Sequence, residues 1–332
     1  MTTVAQPVAA SRRRLERVLI TLAPLGGVAA VLALAAVTTP GFFSRANLTL
    51  VLFQAGIIGV TAVGQTLVLL VGGIDLSIGA VIGLTTVIVA SQTEGSGERL
   101  PEAIALAVGA GLAVGLINAA LVLVRQVPPF VATFASFVLV QGAITAWTRG
   151  APSGDIPAAL GPLGSGRYAG LPTPVWIFAA LAALVGVVLS RTTLGRRIYA
   201  AGANRQAAEM SAIRTAWVIA FAYVVSALMA VLAGLIDAGY VGHVDAQLSR
   251  SLNLDSVAAA VIGGIALTGG RGNLWQTVSG VALLAVLLVW MVQLGTGPGG
   301  QLAVEGAAIL LAACLQHSGS FIRPRRQREG ER

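Results

Sequence analysis

The chain contains no lysine; all 21 of its basic residues are arginines. A Walker-type nucleotide loop sets a lysine on the phosphates, so ATP hydrolysis by that route is excluded. Lysine Schiff-base chemistry is excluded with it. The single cysteine, Cys314, lies in an apolar run and offers neither a disulfide nor a thiolate metal site. Two histidines, His243 and His317, lack a His, Cys or carboxylate at ligand spacing. The serines of Glu94–Gly97 and Gly164–Gly166 fall in polar connecting loops, where Gly-Ser is ordinary turn chemistry. These absences argue against an enzyme and imply no cofactor and no metal.

Charge is the other scarcity. Charged residues make up 10% of the chain, against about 25% in soluble domains. What is present is apolar: 56% hydrophobic residues and a mean hydropathy of +0.86. Runs of spanning length recur throughout, with no soluble-domain-sized interruption. The first follows a polar, Arg-rich opening with no small-residue cleavage site, so it reads as a retained helix rather than a signal peptide.

The fold class expected is all-α, a polytopic membrane protein of about ten helices with one or two broken or re-entrant segments. The spans fall at 18–37, 49–71, 76–92, 102–124, 130–148, 174–190, 216–236, 255–270, 274–294 and 301–316, the eighth short and glycine-interrupted. Arginines cluster before the first span (Arg12, Arg13, Arg14, Arg17), between the sixth and seventh (Arg191, Arg196, Arg197, Arg205, Arg214) and after the tenth (Arg323 to Arg332). Six spans and then four separate these clusters, so all three fall on one side. By the positive-inside rule that side is cytoplasmic, as are both termini. This divides the chain into an N-terminal segment 1–17, a membrane domain 18–316 with a cytoplasmic loop at 191–214, and a basic tail 317–332. The net charge of +8 is explained by topology and anionic lipid contact, not by nucleic acid.

Gly72-Gly73-Ile74-Asp75-Leu76-Ser77-Ile78-Gly79 sets a carboxylate, a hydroxyl and glycines between two apolar runs. An ionised acid at mid-membrane costs about 2.5–3.5 kcal/mol on insertion scales, so such acids are rare and usually functional. Broken backbone at that depth survives only where protein or a cavity satisfies it. Gln65 precedes Gly72 by two helical turns, on the same side of its helix. Gln65, Asp75 and Ser77 suit a hydroxylated cargo; equally, Asp75 reads as the N-cap of the third span with Ser77 assisting. Asn118, inside the fourth span, either bonds a neighbouring helix or lines the pathway. Pro128 and Pro129 open the fifth span, and Phe130 and Thr133, one turn apart, either pack or contact cargo.

Within 191–214, Asn204 reads as the N-cap of a short helix over 203–213, whose faces include Ala207, Ala208, Met210 and Ile213. A capped helix projecting from the membrane suits docking into a partner's groove. Gly263–Gly270 repeats the Gly-Gly-Ile-x-Leu-(Ser/Thr)-x-Gly pattern of Gly72–Gly79. Paired glycine-interrupted segments in two halves point to a transport site. The glycines singled out are Gly72, Gly73, Gly79, Gly263, Gly264, Gly269, Gly270 and Gly272; Gly269–Gly272 is no phosphate loop, lacking lysine and a preceding strand.

Gly64–Gly79, Gly115–Thr133, Thr193–Ala208 and Leu254–Gly272, in this order, resemble the permease subunits of ribose-type ABC sugar importers. The family reads GQT…GGIDLS.G, GL.NG…PPF..T, T.LGR..YA.G.N..AA and LD..AA..IGG…GG.G, and the likeness covers nearly all the membrane core. Departures are Gln141 for an Arg, Ala119 for a Gly, Asn253 for a Glu, and Ile265-Ala266 for Thr-Ser. The resemblance implies a multi-pass bacterial inner-membrane protein paired with a second permease subunit, two ABC ATPase subunits and an extracytoplasmic solute-binding protein. It also implies that 191–214 couples to the ATPases through Gly195, Arg196, Tyr199, Gly202, Asn204, Ala207 and Ala208. The competing reading is an ion-coupled secondary transporter with Asp75 as its proton or sodium site. A channel needs a charged ring or filter, which the sequence lacks.

Overall fold

The computed structural model describes the backbone of residues 7–244 and 248–321, and the side chains of 23–244 and 252–314. The arginines before the first span and the Arg323–Arg332 cluster have their side chains outside the described residues. Helices α1 (Pro7–Thr38), α2 (Arg45–Leu70), α3 (Ile78–Thr93), α4 (Leu100–Leu123) and α5 (Pro129–Thr148) form the first half. A connection follows with a short turn of helix, α6 (Gly161–Gly164), and a two-stranded hairpin, β1 (Arg167–Tyr168) and β2 (Leu171–Pro172). Then come α7 (Thr173–Arg191), α8 (Thr193–Ala203), α9 (Arg205–Met210), α10 (Thr215–Val241), α11 (Leu248–Gly263), α12 (Leu274–Gln293) and α13 (Pro298–Phe321).

Among the described residues, six helices are long and apolar enough to cross a membrane: α2, α4, α5, α7, α10 and α12. Shorter apolar stretches lie in α1, α3, α11 and α13. The protein is therefore a multi-pass, all-α membrane protein. Apolar side chains all around a helix leave burial to be decided by neighbours rather than by amphipathicity. In α10 and α12, 61% of the most apolar window is buried, against 22% in α5 and α7, which places the first two centrally and the others at the periphery. Small residues let the central helices approach: a Cβ at Gly111 would stand 2.4 Å from Val231, and one at Gly59 2.4 Å from the ring of Phe178. Without a hydrophobic driving force between helices in lipid, this close packing is what holds them.

Local signals set the helix ends. Ser44 caps α2 by accepting from Asn47 N, and Asn273 and Gln276 form a reciprocal capping box at α12. Pro129 and Pro174 stand in the first turns of α5 and α7, where a missing N–H costs nothing.

Two sequence expectations change. The span expected at 255–270 is instead α11, ending at Gly263, followed by an irregular stretch over 264–273. Gly264, Gly269, Gly270 and Gly272 there all have positive φ, a backbone other residues adopt at a cost, so the helix cannot run on. The segment 191–214 is two helices in tandem, α8 and α9, rather than a loop with one helix at 203–213. Thr192 caps α8 through Gly195 N and Asn204 caps α9 through Ala207 N. At the opposite end of the bundle, Asp155 and His243 pair as an isolated bridge beneath the turn after α3.

Candidate functional site

The seven residues between α2 and α3 do not make a simple hairpin. Val71, Gly72 and Gly73 close α2 by bonding back to Leu67, Leu69 and Val68. The chain then climbs beside α2 into the bundle, so that α3 begins in the interior with Ile78 and Gly79 buried. An interior unwound segment exposes backbone groups that lipid cannot satisfy, and three helices supply the partners. From α2, the Gln65 amide, in the orientation that satisfies it, donates to Asp75 O (3.0 Å) and accepts from Asp75 N (3.3 Å). From α5, Thr133 Oγ1 donates to Ile74 O at 3.0 Å. From α11, Asn253 Oδ1 accepts from Gly79 N, capping α3 from outside it.

Asp75 is the hub. Its Oδ1 accepts from Ser77 N (2.9 Å) and Ser77 Oγ (2.6 Å), and its Oδ2 from Ser226 Oγ of α10 (2.8 Å). Asn118 Nδ2 of α4 donates to Ser77 Oγ at 2.9 Å. Every one of these side chains is fully buried: Gln65, Asp75, Ser77, Asn118, Thr133 and Ser226 are each 0% exposed. Three donors, Ser77 N, Ser77 Oγ and Ser226 Oγ, converge on the carboxyl group, and such a network is strong where the dielectric is low. Asp75 is thus not the N-cap of α3. Ser77 holds that position and makes no side-chain cap bond, because its hydroxyl is turned to Asp75.

Of the residues expected to line a pathway, five (Gln65, Asp75, Ser77, Asn118 and Thr133) come together in this cluster. Phe130 does not: it is 55% exposed and stacks on Phe134 along the outer face of α5, at 6.0 Å between ring centroids. Ser226 and Tyr223 of α10 were missed. They are the polar residues of an otherwise apolar stretch, spaced one turn apart, and that spacing is the signal that could have found them. The Tyr223 hydroxyl is buried without a partner, and a Cβ at Gly73 would stand 2.4 Å from it.

Cavities flank the cluster. On the α8 side, a volume of about 350 Å³ is bounded by Gly72, Gly73, Gln126, Pro129, Arg205 and Tyr223. Toward the other end, a volume of about 300 Å³ is bounded by Phe53, Gln54, Ile57, Asp237, Tyr240 and Gln293. Phe53 and Tyr240 stack there, centroids 3.7 Å apart. Along α2 and α10 the order is one cavity, the buried polar layer, then the other cavity.

The two glycine-rich segments meet. The nearest atoms to a Cβ at Gly269 would be Gly72 Cα and N, both at 2.8 Å, and Gly270 N donates to Leu70 O at 2.9 Å. Helix α8 closes the junction: a Cβ at Gly202 would stand 1.8 Å from Leu70 O and 2.7 Å from Gly270 N. Tyr199 Oη donates to Gly272 O at 2.9 Å, and its half-burial pushes the phenol above its ordinary 10.0, so it stays a neutral donor. Gly195 sits against Leu189 O and Val188 O, fixing the α7–α8 corner. Arg196, Asn204 and Ala207 face outward while Ala208 is buried, so α8 and α9 present one face to solvent and one to the break.

A family model described as branched-chain amino acid transport system / permease component matches residues 47–313. The chain belongs to this permease family. The match takes in α2 to α12 and most of α13, with both glycine-rich segments and the α8–α9 pair. The chain is 34% identical over 291 residues to the ribose import permease protein RbsC of Escherichia coli strain K12, covering 86% of this chain and 90% of the relative. It is 32% identical over 311 residues to the ribose import permease protein RbsC of Bacillus subtilis strain 168, covering 93% and 96%. It is 32% identical over 243 residues to the autoinducer 2 import system permease protein LsrC of Salmonella paratyphi B, covering 73% and 70%. No solved structure matches the chain. A permease component carries solute across the membrane and is not itself the enzyme.

Proposed function

We propose that the chain is the membrane subunit of an ATP-driven importer for a monosaccharide of the pentose class or a related small furanoside. Separate ATPase subunits drive it and an extracytoplasmic binding protein delivers the solute. The observation that carries this reading is the near full-length likeness to ribose import permeases. The family model's description names branched-chain amino acids, but the relatives covering most of the chain are named for ribose and autoinducer 2. The secondary-transporter alternative has no support in these likenesses.

In this reading the α8–α9 end is cytoplasmic, ten helices cross the membrane, and segments 1–17 and 317–332 lie with α8 inside, against anionic lipid. The outward face of α8 and α9, with Arg196, Asn204 and Ala207, docks on the ATPase. A push on α8 is delivered by Gly202 and Tyr199 to Leu70 and Gly270, and so to the segment carrying Asp75. Gln65, Asp75, Ser77, Asn118 and Thr133 hold the layer between the cavities shut and meet the solute when it parts. The exposed apolar face of α5 with Phe130 lies toward a second permease subunit.

The test is reconstitution with candidate ATPase and binding-protein partners. ATP-dependent uptake of labelled ribose supports the proposal. Uptake that needs no ATPase and collapses with an uncoupler overturns it.

A further inference from the structure

Asp255 and Glu305 stand apart from the polar cluster, and nothing in the transport reading uses them. Asp255 lies in α11 and Glu305 in α13, 1% and 3% exposed, and their side chains hydrogen-bond each other. A carboxylate only accepts, so a bond between two carboxyls requires a hydrogen on one of them. The remaining oxygens, Asp255 Oδ1 and Glu305 Oε2, are buried without a partner.

Among the described side chains no cation neutralises the pair. Helix α11 packs on α1, α2, α3, α12 and α13. Among their described side chains the charged groups are Arg45, at the far start of α2, and Glu305 itself. The 264–273 segment adds only Arg271, which is exposed. The one ion pair among the described residues is Arg205–Glu209, at the α9 end. Two carboxyls sharing one buried site cannot both ionise, and they take up and release protons as a unit. Burial of a lone charge among apolar helices is costlier still.

We propose that Asp255 and Glu305 form a proton-binding site, in which one proton held between the two carboxyls fastens α13 to α11 and its release loosens that contact. α11 is the principal neighbour of α13 in the fold. Asn253, two residues before Asp255, caps α3 at the polar cluster. The helix seated by the proton is therefore the one that closes the site. The inference does not depend on which solute crosses.

The test is thermal unfolding of the full-length permease in nanodiscs between about pH 5.5 and 8.5, in choline and in sodium buffer. A proton held when folded and released when unfolded shifts the folding equilibrium by up to about tenfold per pH unit against folding as pH rises. Glu305→Gln supplies an amide donor to Asp255 without titrating, so its profile should be flatter by that one proton; Asp255→Asn should behave alike. Sodium should change nothing. An unaltered slope in both variants overturns the proposal. So does a sodium-dependent rise in stability at pH 8 that only the wild type shows, which would assign the site to a metal cation. Should neither variant assemble, the wild type decides alone. At pH 7 its infrared spectrum should hold the carbonyl stretch of a protonated carboxylic acid that moves on ¹³C labelling of aspartate or glutamate. Absence of that band refutes the shared proton.

Discussion

Gly202→Ala tests whether α8 is joined to the broken segments by backbone contact. The added methyl would start 1.8 Å from Leu70 O and 2.7 Å from Gly270 N. Both obstacles are main chain, so no rotamer change relieves them; either α8 backs away or the Leu70–Gly270 contact opens. Overpacking by one methyl in a tight site costs about 1–3 kcal/mol, and opening the Gly270 N–Leu70 O bond adds about 0.5–1.5 kcal/mol. Against this, replacing a helical glycine by alanine gains about 0.5–1 kcal/mol. The balance is a net loss of about 0.5–4 kcal/mol, concentrated at the junction rather than spread over the bundle. In proteoliposomes with the partner ATPase and binding protein, ATP hydrolysis should continue while solute uptake per ATP falls by tenfold or more. Gly142→Ala is the control, because a Cβ there meets nothing within 4 Å; it should transport normally and be as stable as wild type or slightly more so. If Gly202→Ala couples like the control, α8 does not act through this contact and the reasoning fails.

Gly73→Ala drives a methyl toward the unpartnered Tyr223 hydroxyl and should lower stability by about 1–3 kcal/mol. Adding Tyr223→Phe should restore most of that loss in a double-mutant cycle by thermal unfolding, with a coupling of about 0.5–3 kcal/mol; strict additivity would refute the contact. Ser226→Ala strips Asp75 Oδ2 of its donor. Leaving that buried oxygen without its partner should cost about 1–3 kcal/mol and impair uptake, whereas wild-type behaviour would remove Ser226 from the hub. Glu209 accepts from Thr215 and Arg205, in that order of effect, which holds its carboxyl below the ordinary 4.5. Its contribution to the α9–α10 corner is therefore complete above about pH 4.5 and fades as pH falls through the lower folded value. Amide exchange over α9 should quicken in acid in the wild type and lose that pH dependence in Glu209→Gln.

Composition alone determined that this is a polytopic all-α membrane protein without the lysine of a Walker loop. Motif spacing picked out both glycine-rich segments, the buried Asp75, its companions Gln65, Ser77, Asn118 and Thr133, and the cap at Asn204. These were legible because hydropathy, lysine absence and capping are properties of neighbouring residues. Ser226 of α10 as a partner of Asp75, Asn253 of α11 as the cap of α3, the face taken by Phe130, the end of α11 at Gly263 and the acid pair of Asp255 with Glu305 were not. In helices apolar on all sides no periodic pattern says which face turns inward, so packing between distant segments makes that choice. Only the tertiary structure carries Gly72 to Gly269 and sets Gly202 against Leu70 and Gly270. That contact is of backbone on backbone across nearly two hundred residues, and it leaves no trace in local sequence beyond the absence of side chains.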